Sequence, residues 1–198
     1  MTKIIGLTGG IGSGKTTVSK IFASYGIPVF NSDVEAKLMM NQDREVKKNI
    51  IAHFGEKSYL ENALNTSFLS EVVFSDPEKL KLLNSLVHCE LEKVFKDWVK
   101  NIKKKLIIKE AAILFETDSY KMCDSTILVL SDKNTRIKRV IERDKISTGD
   151  ILKRMNNQWS DQKKFPIADY IIVNDYDLKT LKKSARYILN LLMTKYEL

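Results

Sequence analysis

The chain is sparing with the residues that cross-link, stiffen or punctuate a backbone: two cysteines, three prolines and eight glycines among 198 residues. Cys89 and Cys123 lack metal-ligand spacing and read as reduced thiols, so neither a disulfide framework nor a zinc module is expected. The prolines stand far apart and leave no proline-rich linker, and there is no repeat or low-complexity tract. No run of about 18 apolar residues occurs, which excludes a spanning helix. The first residues lead straight into a strand-like segment, so no signal or transit peptide is expected, and the cytoplasm is the expected compartment. None of the glycines has an aspartate three positions before it, and N-K-x-D is missing, so a GTPase switch is excluded.

What remains is ordinary globular composition, 43% hydrophobic and 29% charged, in a length that suits one domain with an insertion. The net charge of +8 favours a polyanionic ligand. Lys100, Lys103, Lys104 and Lys105 cluster, and Lys163 with Lys164 forms a second basic pair. Nucleic acid could account for such a surface. A substrate with several phosphates accounts for it equally well, and a solvated lysine-rich face accounts for part of it. We expect a small polyphosphate ligand, with no nucleic-acid or membrane partner.

The most informative stretch is IIGLTGGIGSGKTTVSK at 4–20. Gly9, Gly14, Lys15 and Thr16 fit G-x-x-x-x-G-K-[ST], with a strand-like run before them and a helical stretch after, up to Gly26. Glycines at 9, 10, 12 and 14 let the backbone curl so that N–H groups converge on an anion, and the helix N-terminus adds positive potential. Gly10, Ile11, Gly12, Ser13, Gly14, Lys15, Thr16 and Thr17 are therefore the candidate ATP-binding residues. Lys15 would reach the β- and γ-phosphates, and Thr16 would hold Mg²⁺.

Short Ile/Val/Leu-rich runs predict five buried strands at Lys3–Thr8, Pro28–Asn31, Leu106–Glu110, Ser125–Leu130 and Tyr170–Val173. Helical stretches between them predict an α/β fold, a doubly wound parallel sheet of the P-loop type, with ligands beyond the carboxyl ends of the strands. About 70 residues from Asp33 to Lys105 lack a convincing strand, far more than a crossover needs. Asp76-Pro77-Glu78 starts a helix there, and apolar residues from Leu80 to Trp98 keep helical spacing, with a break expected near His88. Phe68, Phe74, Phe95 and Trp98 would form a core or an apolar wall for a substrate. The polar segment Lys145–Pro166, carrying Arg154, Gln158, Lys163 and Lys164, reads as a lid over phosphates or as an exposed helix. Asp132 would cap a helix over 134–144, and Leu178–Tyr196 reads as an amphipathic helix packed on the sheet. The expected division is a core of 1–34, 106–145 and 167–198, a helical insertion of 35–105, and a lid of 146–166.

A phosphate loop alone leaves the reaction open. A small-molecule kinase needs a carboxylate for the acceptor, and Asp33, just past the second strand, is the candidate. The same position suits a cap for a helix over 34–40. A nucleotide-binding regulatory protein without transfer activity is the reading from another class.

In order along the chain, further motifs resemble the dephospho-coenzyme A kinase family. The opening IGLTGGIGSGKTTV is similar almost letter for letter. Phe30–Lys37 resembles D-A-D-x-x-A-[RHK], with Asp33 at the family's catalytic aspartate. His53–Gly55, Leu69–Pro77, Leu83–His88, Ala112–Glu116, Arg139–Asp144, Gln158 and Ala168–Asn174 complete the series. The resemblance implies a phosphate-loop core with a helical acceptor-binding domain and a lid, and transfer from ATP to the ribose 3′-hydroxyl of dephospho-CoA. It implies catalytic roles for Lys15, Asp33 and Arg139, ATP contacts from Arg139 and Asn174, and acceptor contacts from Asp33, Lys37, His88 and Glu116. Glu110 could hold a Mg²⁺ water. A polar helix corner is the other reading of His88, and the expected assembly is a monomer or weak homo-oligomer. Departures from the family pattern are Asn31 for aspartate, Thr66 for arginine, Cys89 and Ala112 for prolines, and Lys164 for arginine.

Overall fold

A computed structural model describes residues 1–198 apart from the side chain of Phe74, so the expectation for that aromatic lies outside the described residues. The chain divides into two units, Met1–Asn31 with Lys103–Leu198, and Ser32–Ile102.

The first unit is built on a five-stranded parallel sheet. Its strands are β1 (Lys3–Gly9), β2 (Val29–Asn31), β5 (Leu106–Glu110), β6 (Ser125–Leu130) and β7 (Tyr170–Val173), in the order β2-β5-β1-β6-β7. The observed ends differ from the sequence expectation by one residue in β1 and β2. Burial on both faces explains the continuous apolar runs, and every residue of β5 is buried. Helix α1 (Lys15–Ser24) places Val18 and Phe22 on one face of the sheet beside Leu181, Ala185, Ile188 and Leu192 of α9 (Leu178–Lys195). The register sets Asn31, Glu110 and Leu7 side by side at the carboxyl edge. After β1 the chain crosses to β2, and after β6 it crosses the other way to β7 through α6 (Lys133–Asp144), α7 (Thr148–Asn156) and α8 (Asp161–Lys164). The order therefore reverses between the adjacent strands β1 and β6, which opens a crevice at their carboxyl ends.

The second unit packs α2 (Ser32–Gln42), α3 (Arg44–Phe54), α4 (Thr66–Phe74) and α5 (Pro77–Asn101) around Met39, Val46, Ile50, Leu69, Val73, Val87, Leu91 and Phe95. Asp43 ends one helix and caps the next, accepting from Glu45 N and Val46 N. The expected break near His88 is absent, and α5 runs unbroken for 25 residues. No glycine or proline occurs between Pro77 and Asn101, and Cys89 keeps the backbone donor that a proline would lack. The strandless stretch also needs correction. A small antiparallel hairpin pairs β3 (Tyr59–Leu60) with β4 (Ala63–Leu64), turning through Glu61 and Asn62 at φ 47° and 68°. Left-handed geometry at both turn residues is the twist a two-residue hairpin requires. Tyr59 donates to Met40 O at 2.7 Å, and burial raises its phenol pKa. Of the expected core aromatics, Phe95 is buried, while Phe68 and Trp98 are half-buried.

Neighbours on α5 test this packing. Phe95 is 1% exposed and Val94 41%. Phe95→Ala should cost about 3–5 kcal/mol in urea unfolding, and Val94→Ala less than about 0.5 kcal/mol.

Candidate active site

β1 ends at Gly9, and the loop that follows delivers the chain to α1 through Gly14 at φ 95°. A side chain there would strain the left-handed backbone, and its β-carbon would lie 2.1 Å from Asn174 Nδ2 and displace that amide. Helices α3 to α9 each begin with a side chain that accepts from their own first-turn amides. Helix α1 has no such cap and no acidic residue in its first turn. Its positive end is met by neither a capping side chain nor an acidic residue, which suits an anion. Lys15 is 9% exposed, and its ammonium donates to Gly9 O at 2.9 Å, which folds the charge back over the loop.

Thr16 donates its hydroxyl proton to Glu110 Oε1 at 2.9 Å, and Glu110 Oε2 accepts from Asn31 Nδ2 at 3.0 Å. Glu110 is buried at the end of β5. The departure to asparagine at 31 thus has a local reason, since an amide donates to the neighbouring carboxylate and an ionised aspartate would repel it.

The loop is held from outside by residues far away in sequence. Asn174 Nδ2 donates to Ser13 O at 2.8 Å. Arg139 donates from Nη2 to Asn174 O at 2.9 Å and from Nη1 to Ser131 Oγ at 3.2 Å. The Ser131 hydroxyl donates in turn to Asp175 Oδ1 at 2.7 Å, which also accepts from Asp132 N. Those two bonds, with the Arg139 charge, lower the Asp175 pKa. Ile11 N donates to Gln158 Oε1 at 2.8 Å, and Ile11 O accepts from Arg136 Nε at 2.9 Å.

Glu116, beyond β5, accepts at Oε1 from Trp159 N at 2.9 Å and makes an ion contact of the same length with Lys164. Lys164 is fully buried, so it does not belong to the basic surface pair expected with Lys163. Its ammonium contacts Glu116 outside hydrogen-bond geometry, and Glu116 Oε2 is buried without a hydrogen-bond partner. Lys163 instead lies over the Trp159 ring, 3.4 Å from its centroid.

Asp33, Lys37 and His88 belong to the second unit. Asp33 is exposed within the first turn of α2, which starts at Ser32, so Asp33 is not the cap of a helix over 34–40. Lys37 lies one turn on and shares its face, and His88 is half-buried midway along α5. Arg136, Ser131, Asp161 and Asp175 went unremarked in the sequence. Arg136 carried one signal, its place a turn into the capped helix that follows β6. Among the described residues no three His, Cys, Asp or Glu groups cluster as a metal site.

A strand, an uncapped glycine loop and a helix carrying Lys15 and Thr16, at the reversal point of a five-stranded parallel sheet, define a phosphate-loop kinase fold. The sequence model of the dephospho-CoA kinase (CoaE) family matches residues 3–180. A dephospho-CoA kinase of Fusobacterium nucleatum is 38% identical over 186 residues, covering 93% of this chain and 96% of the relative. The crystal structure of TT1252 from Thermus thermophilus superposes with a TM-score of 0.83 at 30% identity, over 96% of this chain and 98% of that one. Dephospho-CoA kinase from Campylobacter jejuni shares the fold, with a TM-score of 0.70 at 23% identity over 98% and 99% of the two chains. The chain belongs to the dephospho-CoA kinase family.

The Glu116–Lys164 pair has a measurable consequence. Lys164→Met leaves a nearly buried carboxylate without its cation and should destabilise the protein by about 3–5 kcal/mol. Adding Glu116→Gln should restore most of that loss in the same urea titration, since the charge to be compensated is then gone.

Proposed function

We propose that this chain transfers the γ-phosphoryl group of ATP to the ribose 3′-hydroxyl of dephospho-CoA, giving CoA and ADP. The observation that carries the reading is the uncapped N-terminus of α1, with Lys15 folded over the loop and Thr16 backed by Glu110. Gly10, Gly12, Ser13, Gly14, Lys15, Thr16 and Thr17 would line the triphosphate; in the structure Ser13 N donates to Gly10 O and Thr17 N to Gly14 O, both at 3.0 Å. Lys15 would exchange the Gly9 carbonyl for phosphate oxygens, where its charge counts most as the phosphoryl group moves. Arg139 and Asn174 would complete the nucleotide side, and Ile11 would act through its backbone.

The donor set suits Mg²⁺, a hydroxyl backed by a buried carboxylate. Thr16 would hold the ion directly and Glu110 through water. Bound there with ATP, Mg²⁺ neutralises charge on the β- and γ-phosphates. Asp33, exposed in the first turn of α2, would orient the 3′-hydroxyl and accept its proton. Lys37, His88 and Glu116 would serve the acceptor.

In the proposed division, 1–34, 106–145 and 167–198 form the nucleotide core, 35–105 binds the acceptor and 146–166 is the lid. The proposed setting is the cytoplasm, with a monomer or weak homo-oligomer acting on two small molecules. Two free cysteines, and no helix among the described residues long and apolar enough to cross a membrane, support that setting.

ADP release measured with and without dephospho-CoA tests the reaction. Lys15→Ala should lower kcat/KM by several orders of magnitude, and near-normal turnover in a folded variant would rule out the phosphate-loop mechanism. Asp33→Asn should lower kcat at least about 10²-fold, as expected for loss of a general base, while ATP still binds. Weaker ATP binding with kcat intact would make Asp33 a structural or metal-site residue. Dephospho-CoA should far exceed adenosine and AMP in kcat/KM, because binding of its remote arm helps orient the hydroxyl. Equal values would favour a nucleoside kinase.

A further inference from the structure

Both backbone groups of Ile11 are taken by side chains from distant parts of the chain, the N–H by Gln158 and the carbonyl by Arg136. Arg136 makes more than that one bond. Its Nη1 forms an ion pair with Asp161, the first residue of α8, at 3.0 Å. A β-carbon on Gly10 would lie 2.2 Å from its Nη2, so the guanidinium is pressed against the loop. The residue is 9% exposed. Amides converge on an anion only while the carbonyls between them diverge, and a carbonyl held from outside keeps that alternation. The planar fork of arginine suits the task, because Nε and Nη1 serve two partners at a fixed angle.

We propose that Arg136 is a positioning residue for phosphoryl transfer: it fixes the Ile11 peptide so that the loop keeps the curl that receives a triphosphate, and through Asp161 it ties that curl to the α7–α8 segment. The assignment rests on the reading of the loop as an ATP site. It makes the shape of the loop depend on where α8 sits. Burying a guanidinium against one carboxylate is a costly way to provide packing alone. A purely structural residue would change the melting temperature and leave nucleotide affinity per folded molecule unchanged.

The test measures ATP affinity by calorimetry in the presence of Mg²⁺, alongside KM and kcat, on the full chain. Arg136→Met should weaken ATP binding by about tenfold or more and raise KM for ATP, while KM for dephospho-CoA stays within about twofold. Asp161→Asn should give a smaller loss, and none beyond that of Arg136→Met when the two are combined. Gly10→Ala keeps the guanidinium but displaces it, and should reproduce the same split between the two KM values. Arg136→Lys, able to serve one partner at a time, should recover part of the affinity.

Unchanged ATP affinity in folded Arg136→Met, or additive losses in the double variant, would overturn the proposal. If Arg136→Met does not fold, unchanged affinity in both Asp161→Asn and Gly10→Ala would overturn it equally. Failure of the unaltered protein to bind ATP would overturn the phosphate-site reading instead.

Discussion

An anion site made of backbone amides exists only if the protein declines to satisfy those amides itself. Every other constraint around α1 follows from that requirement. A side-chain cap would be worth about 1 kcal/mol to the helix, and α3 to α9 all have one. Helix α1 forgoes it, and Gly14 takes the place where a capping side chain would stand. The loop has one tight turn of its own, Ser13 N to Gly10 O. It keeps its shape through contacts from outside, at Ser13 O, at both backbone groups of Ile11, and through the Lys15 ammonium on Gly9 O.

Apart from Gln158, which lies beyond α7, the distant contacts and the residues that brace them come from the segments just past the carboxyl ends of neighbouring strands. Ser131 follows β6, Asn174 and Asp175 follow β7, and Arg136 lies one turn into α6. The parallel sheet makes this convergence unavoidable, since all five strands end on the same edge. Charge is distributed economically along that edge. Glu110 sits beside an amide and a hydroxyl, Glu116 beside Lys164, and Asp161 beside Arg136.

Much of the frame was legible because it depends on local patterns. Short apolar runs located all five long strands, since a strand covered on both faces has no polar phase to obscure it. Asp76-Pro77 and Asp132 announced their helices through capping chemistry that acts within three residues. The illegible parts are those where a distant partner decides. The hairpin turn Glu61-Asn62 has no glycine to mark it, and its strands are two residues long. Periodicity along α5 was visible, but a break was expected where nothing in the backbone enforces one. Lys164 read as surface charge because its partner Glu116 is distant in sequence, on the segment beyond β5. At the candidate site the loop motif was plain, while the Arg136 clamp and the Ser131–Asp175 brace behind Arg139 depend on folded proximity.

The contact of Gly14 with Asn174 sets a schedule for making the protein. The wall of the phosphate loop is completed by Asn174, 161 positions after the Ser13 carbonyl that it holds. Strand β1 sits between β5 and β6, so it has no sheet neighbour until the middle of the chain has been synthesised. During translation the nucleotide site therefore assembles only after β7 has emerged, long after its own motif has been made. The helices of Ser32–Ile102 can form in the interval, because their contacts are short in sequence. A nascent chain stalled before β7 would carry the full glycine motif without the clamp that shapes it.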